Sequence, residues 1–179
     1  NILNSSDKLL GFLEHVLNID VCRNIDNLYF ERLVDKSFDY FNFINKGVST
    51  ELDKKVKFSI EARDKLEAIL EFLSNIMIKL ENKAKTPEYI KPYETKEGYH
   101  HLLMTMKRAT TLKKQIIILG LKQETLTTKK GVDFTFDCTL LDADKYTKTQ
   151  YEIIHPDIKK LCLGLRDDKE SFLSILSLV

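Results

Sequence analysis

Glycine and proline are sparse in this chain, six and three among 179 residues. That excludes a linker-like or low-complexity polypeptide and leaves 43% hydrophobic content to build the core of one domain or two small ones. Cysteine is limited to Cys22, Cys138 and Cys162, odd in number, widely spaced and without a Cys-x-x-Cys pair. Neither a disulfide framework nor a zinc site follows from that pattern, and an intracellular, reducing compartment is expected. No uninterrupted apolar run reaches the roughly 18 residues of a membrane span, and Asn1-Ile2-Leu3 lacks the basic and apolar regions of a signal peptide. The missing initiator Met points to an excised fragment. Gly-x-x-x-x-Gly-Lys-Ser/Thr and Gly-x-Gly-x-x-Gly loops are missing, so these residues hold no nucleotide by those devices. Charge of one sign is not in excess either: Lys+Arg 28 against Asp+Glu 27 gives a formal net charge of +1, so any electrostatic function must be local.

What is present begins with helices. Leu9, Leu10, Phe12, Leu13, Val16 and Leu17 recur at three- and four-residue steps, predicting a short amphipathic helix over Ser5 to Asn18 with Ser6 able to cap it. A second helix is expected from Asn27 to Ile44, with Leu28, Phe30, Leu33, Val34, Phe38, Phe41 and Phe43 on a packed face and Gly47 as a stop. From Thr50 to about Lys83 a longer helix is expected, with Thr50 and Asp53 as a capping box. Its seam runs through Leu52, Val56, Ser59, Arg63, Leu66, Leu70, Leu73, Met77, Leu80 and Ala84, interrupted at Ser59 and Arg63. At 1.5 Å per residue it would be about 50 Å long. Such a seam calls for an antiparallel partner, and Pro156 to Leu178 offers Ile158, Leu161, Cys162, Leu165, Phe172, Ile175 and Leu176, with Pro156 at a first helical position and Gly164 a place for a bend.

Between these helices the period changes to two. Ile90 to Glu94 and Tyr99 to Met106 flank the turn Thr95-Lys96-Glu97-Gly98, predicting a β-hairpin. Gln115 to Leu121 reads as a β-branched strand, and Val132 to Leu140 alternates as another after a Lys129-Lys130-Gly131 turn. Four or five strands would form a small β module at the far end of a helical stalk.

The chemistry-bearing side chains are few. His100 and His101 are adjacent in a strand and point to opposite faces, so they cannot easily share an ion, while His15 and His155 lack helical partners. Cys138 and Cys162 fall on apolar faces, where inert buried thiols are the default. The remaining feature is the stretch from Leu103 to Lys130: Lys107, Arg108, Lys113, Lys114, Lys122, Lys129 and Lys130 against the single acid Glu124, a local charge of +6. Mixed with the hydroxyls of Thr105, Thr110, Thr111, Thr127 and Thr128, these cations suit phosphate oxygens without base readout. A merely solvated surface is the plain alternative. No aromatics are interleaved with the lysines, so a duplex backbone fits better than stacked single strands.

Three segments, in order, resemble the MutS mismatch-repair family over most of the chain from Ile44 onward. Gly47-Val48-Ser49-Thr50-Glu51-Leu52-Asp53 resembles the family's entry into its lever helix. Gly98-Tyr99-His100-His101-Leu102 resembles the start of a clamp strand, with His100 in place of an aromatic, and Thr139-Leu140-Leu141-Asp142-Ala143-Asp144-Lys145-Tyr146-Thr147 resembles the segment leading from clamp back to lever. Leu141-Asp142 stands where the family often has Lys-Asn, which removes a phosphate contact and adds a repulsive carboxylate. The longer Tyr151 to Ile154 approach to His155-Pro156 also departs from the family's helix start. The Asn- and Lys-rich composition and long insertion are similar to divergent members from large DNA viruses or coral mitochondria.

The resemblance implies an α+β fold: an antiparallel helical lever arm with a small antiparallel β clamp inserted at its tip, plus N-terminal core helices. Its boundaries would be core and lever at 1–86, clamp at 87–150 and returning lever helix at 151–179. It implies a noncatalytic fragment that clamps double-stranded DNA and couples it to an ATPase domain lying elsewhere in a homodimeric parent, where ATP and Mg would act as cofactors; the fragment itself would need none, nor a membrane or small-molecule substrate. Whether the parent works in a viral factory or host cytoplasm, a mitochondrion or a nucleus is left open. A helical coiled-coil interaction module with solubilising lysines is the alternative from another class, and an enzyme is disfavoured by the lack of a convergent catalytic set.

Overall fold

Ser49 starts the longest helix among the described residues. Its hydroxyl accepts a hydrogen bond from the Leu52 amide at 3.3 Å, while the Asp53 carboxylate reaches back to the Gly47 amide at 2.8 Å. The cap is therefore one residue earlier than the expected Thr50, and Asp53 closes the turn before the helix. A computed structural model describes residues 2–20, 44–81 and 88–176. In it, helix α1 spans Ile2–Val16, α2 Thr50–Glu81, α3 Met106–Ile118 and α4 Pro156–Leu176. Strands β1 (Lys91–Glu94), β2 (His100–Thr105), β3 (Gln123–Thr127), β4 (Asp133–Asp137), β5 (Asp142–Lys145) and β6 (Gln150–Ile154) lie between α2 and α4. The architecture is α+β. The helix expected over Asn27 to Ile44, apart from Ile44, lies outside the described residues, as do Cys22 and Ala84.

The chain divides into two compact units, Asn1–Ile60 with Ser174–Val179, and Glu61–Leu173. In the first unit the end of α1 is closed by Asn45. Its amide nitrogen lies 2.9–3.0 Å from the carbonyls of Glu14, His15 and Leu17, and its backbone amide donates to the Val16 carbonyl. Those are carbonyls a helix end leaves without intrahelical donors.

The second unit holds a four-stranded antiparallel sheet, ordered β1-β2-β6-β5, and a separate β3–β4 hairpin. The expected β1–β2 hairpin forms, with Tyr93 opposite His101, and Gly98 takes φ +82° to close its turn. The Lys129-Lys130-Gly131 turn is also as read, with Gly131 at φ +78°. Alternation puts Leu102, Met104, Ala143 and Ile153 on one sheet face, and they join the core with Ala109, Leu112 and Ile116 of α3. Tyr93, His101, Asp144 and Glu152 fall on the other face.

Three expectations fail here. Gln115 to Leu121 is no strand: α3 runs through Ile118 because Thr105 caps it and Ala109, Leu112 and Ile116 form a buried stripe at three- and four-residue steps. That burial outweighs the β preference of Ile116-Ile117-Ile118, which occupies only the last turn. Cys138 to Leu140 is a 3₁₀ turn after β4, and Tyr151 to Ile154, read as an approach to the helix, is a central strand. The last helix passes Gly164 without a break.

The seam of α2 is partly as expected. Leu52, Ser59, Leu66, Leu73 and Met77 are buried, Ser59 fully so despite reading as an interruption, whereas Leu80 is exposed and Ile69 and Ile76 are buried without having been in the seam. Leu66, Ile69, Leu73 and Met77 of α2 and Ile158, Cys162 and Leu165 of α4 bury into the same cluster as the sheet. At its centre Phe136, fully buried, stacks on His155 at 4.2 Å and meets Phe72 edge-on at 6.4 Å.

Candidate nucleic-acid interface

The seven cations read from sequence occupy two elements. Lys107, Arg108, Lys113 and Lys114 are on α3, Lys122 immediately precedes β3, and Lys129 and Lys130 sit in the β3–β4 turn. The basic stretch is therefore a helix and one hairpin turn rather than a β tip.

Their surroundings separate them. Lys107, Lys114 and Lys122 are exposed and meet no acidic side chain among the described residues. Lys107 and Lys114 are two turns apart on the side of α3 opposite the Ala109, Leu112, Ile116 stripe, about 10 Å along its axis. Lys113 pairs with Asp142, whose carboxyl is thereby held below the usual carboxylate range. Asp142 is thus not the free repulsive group expected of it. Lys129 pairs with Glu67, which holds its ammonium above the usual lysine range, and Lys130 pairs with Asp64 at 2.8 Å. These two pairs, with Lys65 5.8 Å over the Phe134 ring, lay the hairpin along α2.

Arg108 is set apart. It lies 4.8 Å over the Tyr89 ring and 3.8 Å from Glu81, and its side chain is only 24% exposed. It ties the end of α2 to the start of α3 and faces the protein. The pairs of Lys113, Lys129 and Lys130 are solvent-exposed, and water screens such pairs, so an incoming anion can displace the carboxylate.

The threonine hydroxyls are engaged. Thr105 Oγ1 accepts from the Arg108 amide, Thr110 and Thr111 donate to the carbonyls of Met106 and Lys107, Thr127 donates to Asp133, and Thr128 accepts from the Val132 amide. They shape caps and turns.

Other candidates resolve differently. His101 Nδ1 lies 2.7 Å from Glu152 and His100 Nε2 lies 3.8 Å from Glu94, on opposite faces as the strand period requires. No group of three or more metal-ligating side chains occurs among the described residues. Cys138 and Cys162 are buried, and burial pushes both thiols up to about 11. Among the described residues no helix is long and apolar enough to cross a membrane.

Sequence reasoning missed a cluster of rings on the far sheet face. Tyr93, His101 and Tyr146 meet as a triangle of rings, 6.4 Å from Tyr93 to His101, 5.0 Å from His101 to Tyr146 and 6.2 Å between the tyrosines. The Thr95 to Gly98 turn was legible, but not the register that sets Tyr93 opposite His101. Tyr146 was not, because it arrives with the unforeseen β5–β6 pairing.

The site is thus an exposed lysine-bearing helix on an α+β scaffold. No protein-family model, curated protein or solved structure matches the chain.

Proposed function

We propose that this chain is the lever-and-clamp segment of a MutS-like protein, a noncatalytic element that contacts the backbone of double-stranded DNA and passes that engagement to an ATPase domain elsewhere in its parent. The observation that carries the reading is the outer side of α3. Two lysines two turns apart and a third just beyond them are exposed without acidic partners among the described residues. The ordered resemblance of the segments at Gly47, Gly98 and Thr139 supplies the family. The contact set is Lys107, Lys114 and Lys122, extended by Lys113, Lys129 and Lys130 when phosphate replaces their carboxylates. Arg108 positions α3.

Phosphate neutralisation sets the test. Duplex affinity should fall linearly in log–log form with salt, the slope growing by about one per lysine engaged, and should be indifferent to base sequence. Reversing Lys107, Lys114 and Lys122 to Glu should remove about three from that slope. Fluorescence anisotropy of a labelled random duplex between low and physiological salt measures it. Binding that ignores salt, or a triple variant with unchanged slope, overturns the interface.

A further inference from the structure

The ladder between β2 and β6 stops before the strands do. Its last pair is Leu103 with Glu152, although β2 begins at His100 and β6 continues to Ile154. Each end stays paired on its outer side, Leu102 opposite Pro92 of β1 and Ile153 opposite Ala143 of β5, so the two central strands part from one another alone. The end of β6 is held by His155, whose buried ring stacks on Phe136 and hydrogen-bonds to the Asp137 carbonyl and the Asp157 amide. Where the strands part, a cavity of about 310 Å³ opens, lined by Leu102 and Ile153 and by Ile158, Cys162 and Leu163 of α4. That is about twice the volume that admits a benzene ring and lies in the range of small-molecule sites.

The polar groups around this cavity engage one another, with one exception. Among the described residues Glu152 is the one acid that lines it. Its carboxylate lies 2.7 Å from His101 Nδ1, on the sheet face away from Leu102 and Ile153. His155 has both ring nitrogens occupied, and His100 lies 3.8 Å from Glu94. Lys159 differs: it lines the cavity from α4, is exposed and meets no acidic side chain among the described residues. Asp157, the nearest acid in sequence, stands about 200° round the helix, with its carboxylate 3.8 Å from His155 Nδ1. An apolar interior is thereby joined to one uncommitted cation.

We propose that this cavity binds a hydrophobic monocarboxylate of about ten non-hydrogen atoms, its chain against Leu102, Ile153 and Cys162 and its carboxylate on the Lys159 ammonium. Burial of methylenes favours the chain, and the cation favours an anionic head over a neutral one. An ammonium head would meet Lys159 as a like charge, and a sugar or nucleotide would set polar groups against the apolar lining. The site stands whether or not α3 binds DNA.

Octanoate, octan-1-ol and octylammonium share one chain and differ in head group, so titrating each into the full chain separates the two contributions. Methyl NMR of Leu102, Ile153, Ile158 and Leu163 reports where each binds. Octanoate should shift these methyls saturably and bind the tightest of the three. Lys159→Gln, at an exposed position, should weaken octanoate about threefold to tenfold and leave octan-1-ol unchanged. Octylammonium or octan-1-ol binding as tightly as octanoate, saturable shifts only at other methyls, no shift at millimolar octanoate, or octanoate affinity untouched in Lys159→Gln each overturns the assignment. A Lys159→Gln variant that weakens octan-1-ol as much as octanoate overturns the carboxylate contact.

Discussion

His155 shows how one side chain does structural work that its sequence context conceals. It is 1% exposed; its Nδ1 accepts the Asp157 amide at 3.0 Å and its Nε2 donates to the Asp137 carbonyl at 2.9 Å. Those two partners fix the neutral tautomer and make His155 the N-cap of α4, with Pro156 following at the first helical position. In sequence it looked isolated, because its partners are a backbone amide two residues away and a carbonyl on another strand. The buried thiols lead to a residue-scale prediction. Cys138 and Cys162 are raised from an ordinary 9.0 to about 11, chiefly by burial. The unfolded chain therefore loses these protons first as pH rises, so folding stability should be whole below pH 9 and decline toward pH 11. In a Cys22→Ser background, maleimide at pH 8 should label neither thiol in the native protein and both in denaturant; urea midpoints across pH 8 to 11 check the decline. Rapid native labelling would contradict their burial.

At the scale of elements, local signals were legible where they were self-contained. The β1–β2 hairpin, the Gly131 turn and the start of α4 each depend on a few adjacent residues with one geometric solution. What failed depended on partners far along the chain: Ile116 to Ile118 read as strand because the core that captures α3 comes from β2, β6 and α2. The sheet's edges also emerged only in the fold. Pro92 removes a donor from β1, and Asp142 and Asp144 accept the amides of Ala143 and Lys145 on β5, so both edges are poor templates for further strands. The β3–β4 hairpin is held to α2 by Phe136 more than by its lysines, since exposed pairs contribute little. Phe136→Ala should cost about 3–5 kcal/mol in urea unfolding, whereas Lys129→Ala with Lys130→Ala should leave the urea midpoint nearly unchanged. The reverse order would mean that the turn is pinned by charge.

For the whole molecule, near-zero net charge conceals segregation. Lysines point outward from α3 on one side of the sheet, while Glu152 and Asp144 lie on the other, a separation visible in sequence only as the +6 stretch. The same scale decides between an internal core and a coiled coil between chains, because the α2 pattern allowed both. Leu66, Leu73 and Met77, the residues a partner helix would need, are 8%, 0% and 0% exposed within a single chain. A second chain has no access to them without unfolding the first. The protein should therefore sediment as a monomer of 20.8 kDa. Leu73→Asp, which buries a carboxylate without a partner, should cause loss of the folded state rather than dissociation. Sedimentation velocity with circular dichroism on both proteins reads mass and fold together. A concentration-dependent dimer that Leu73→Asp converts to a folded monomer would instead place Leu73 at an interface between chains and favour the interaction-module reading over the DNA-contacting one.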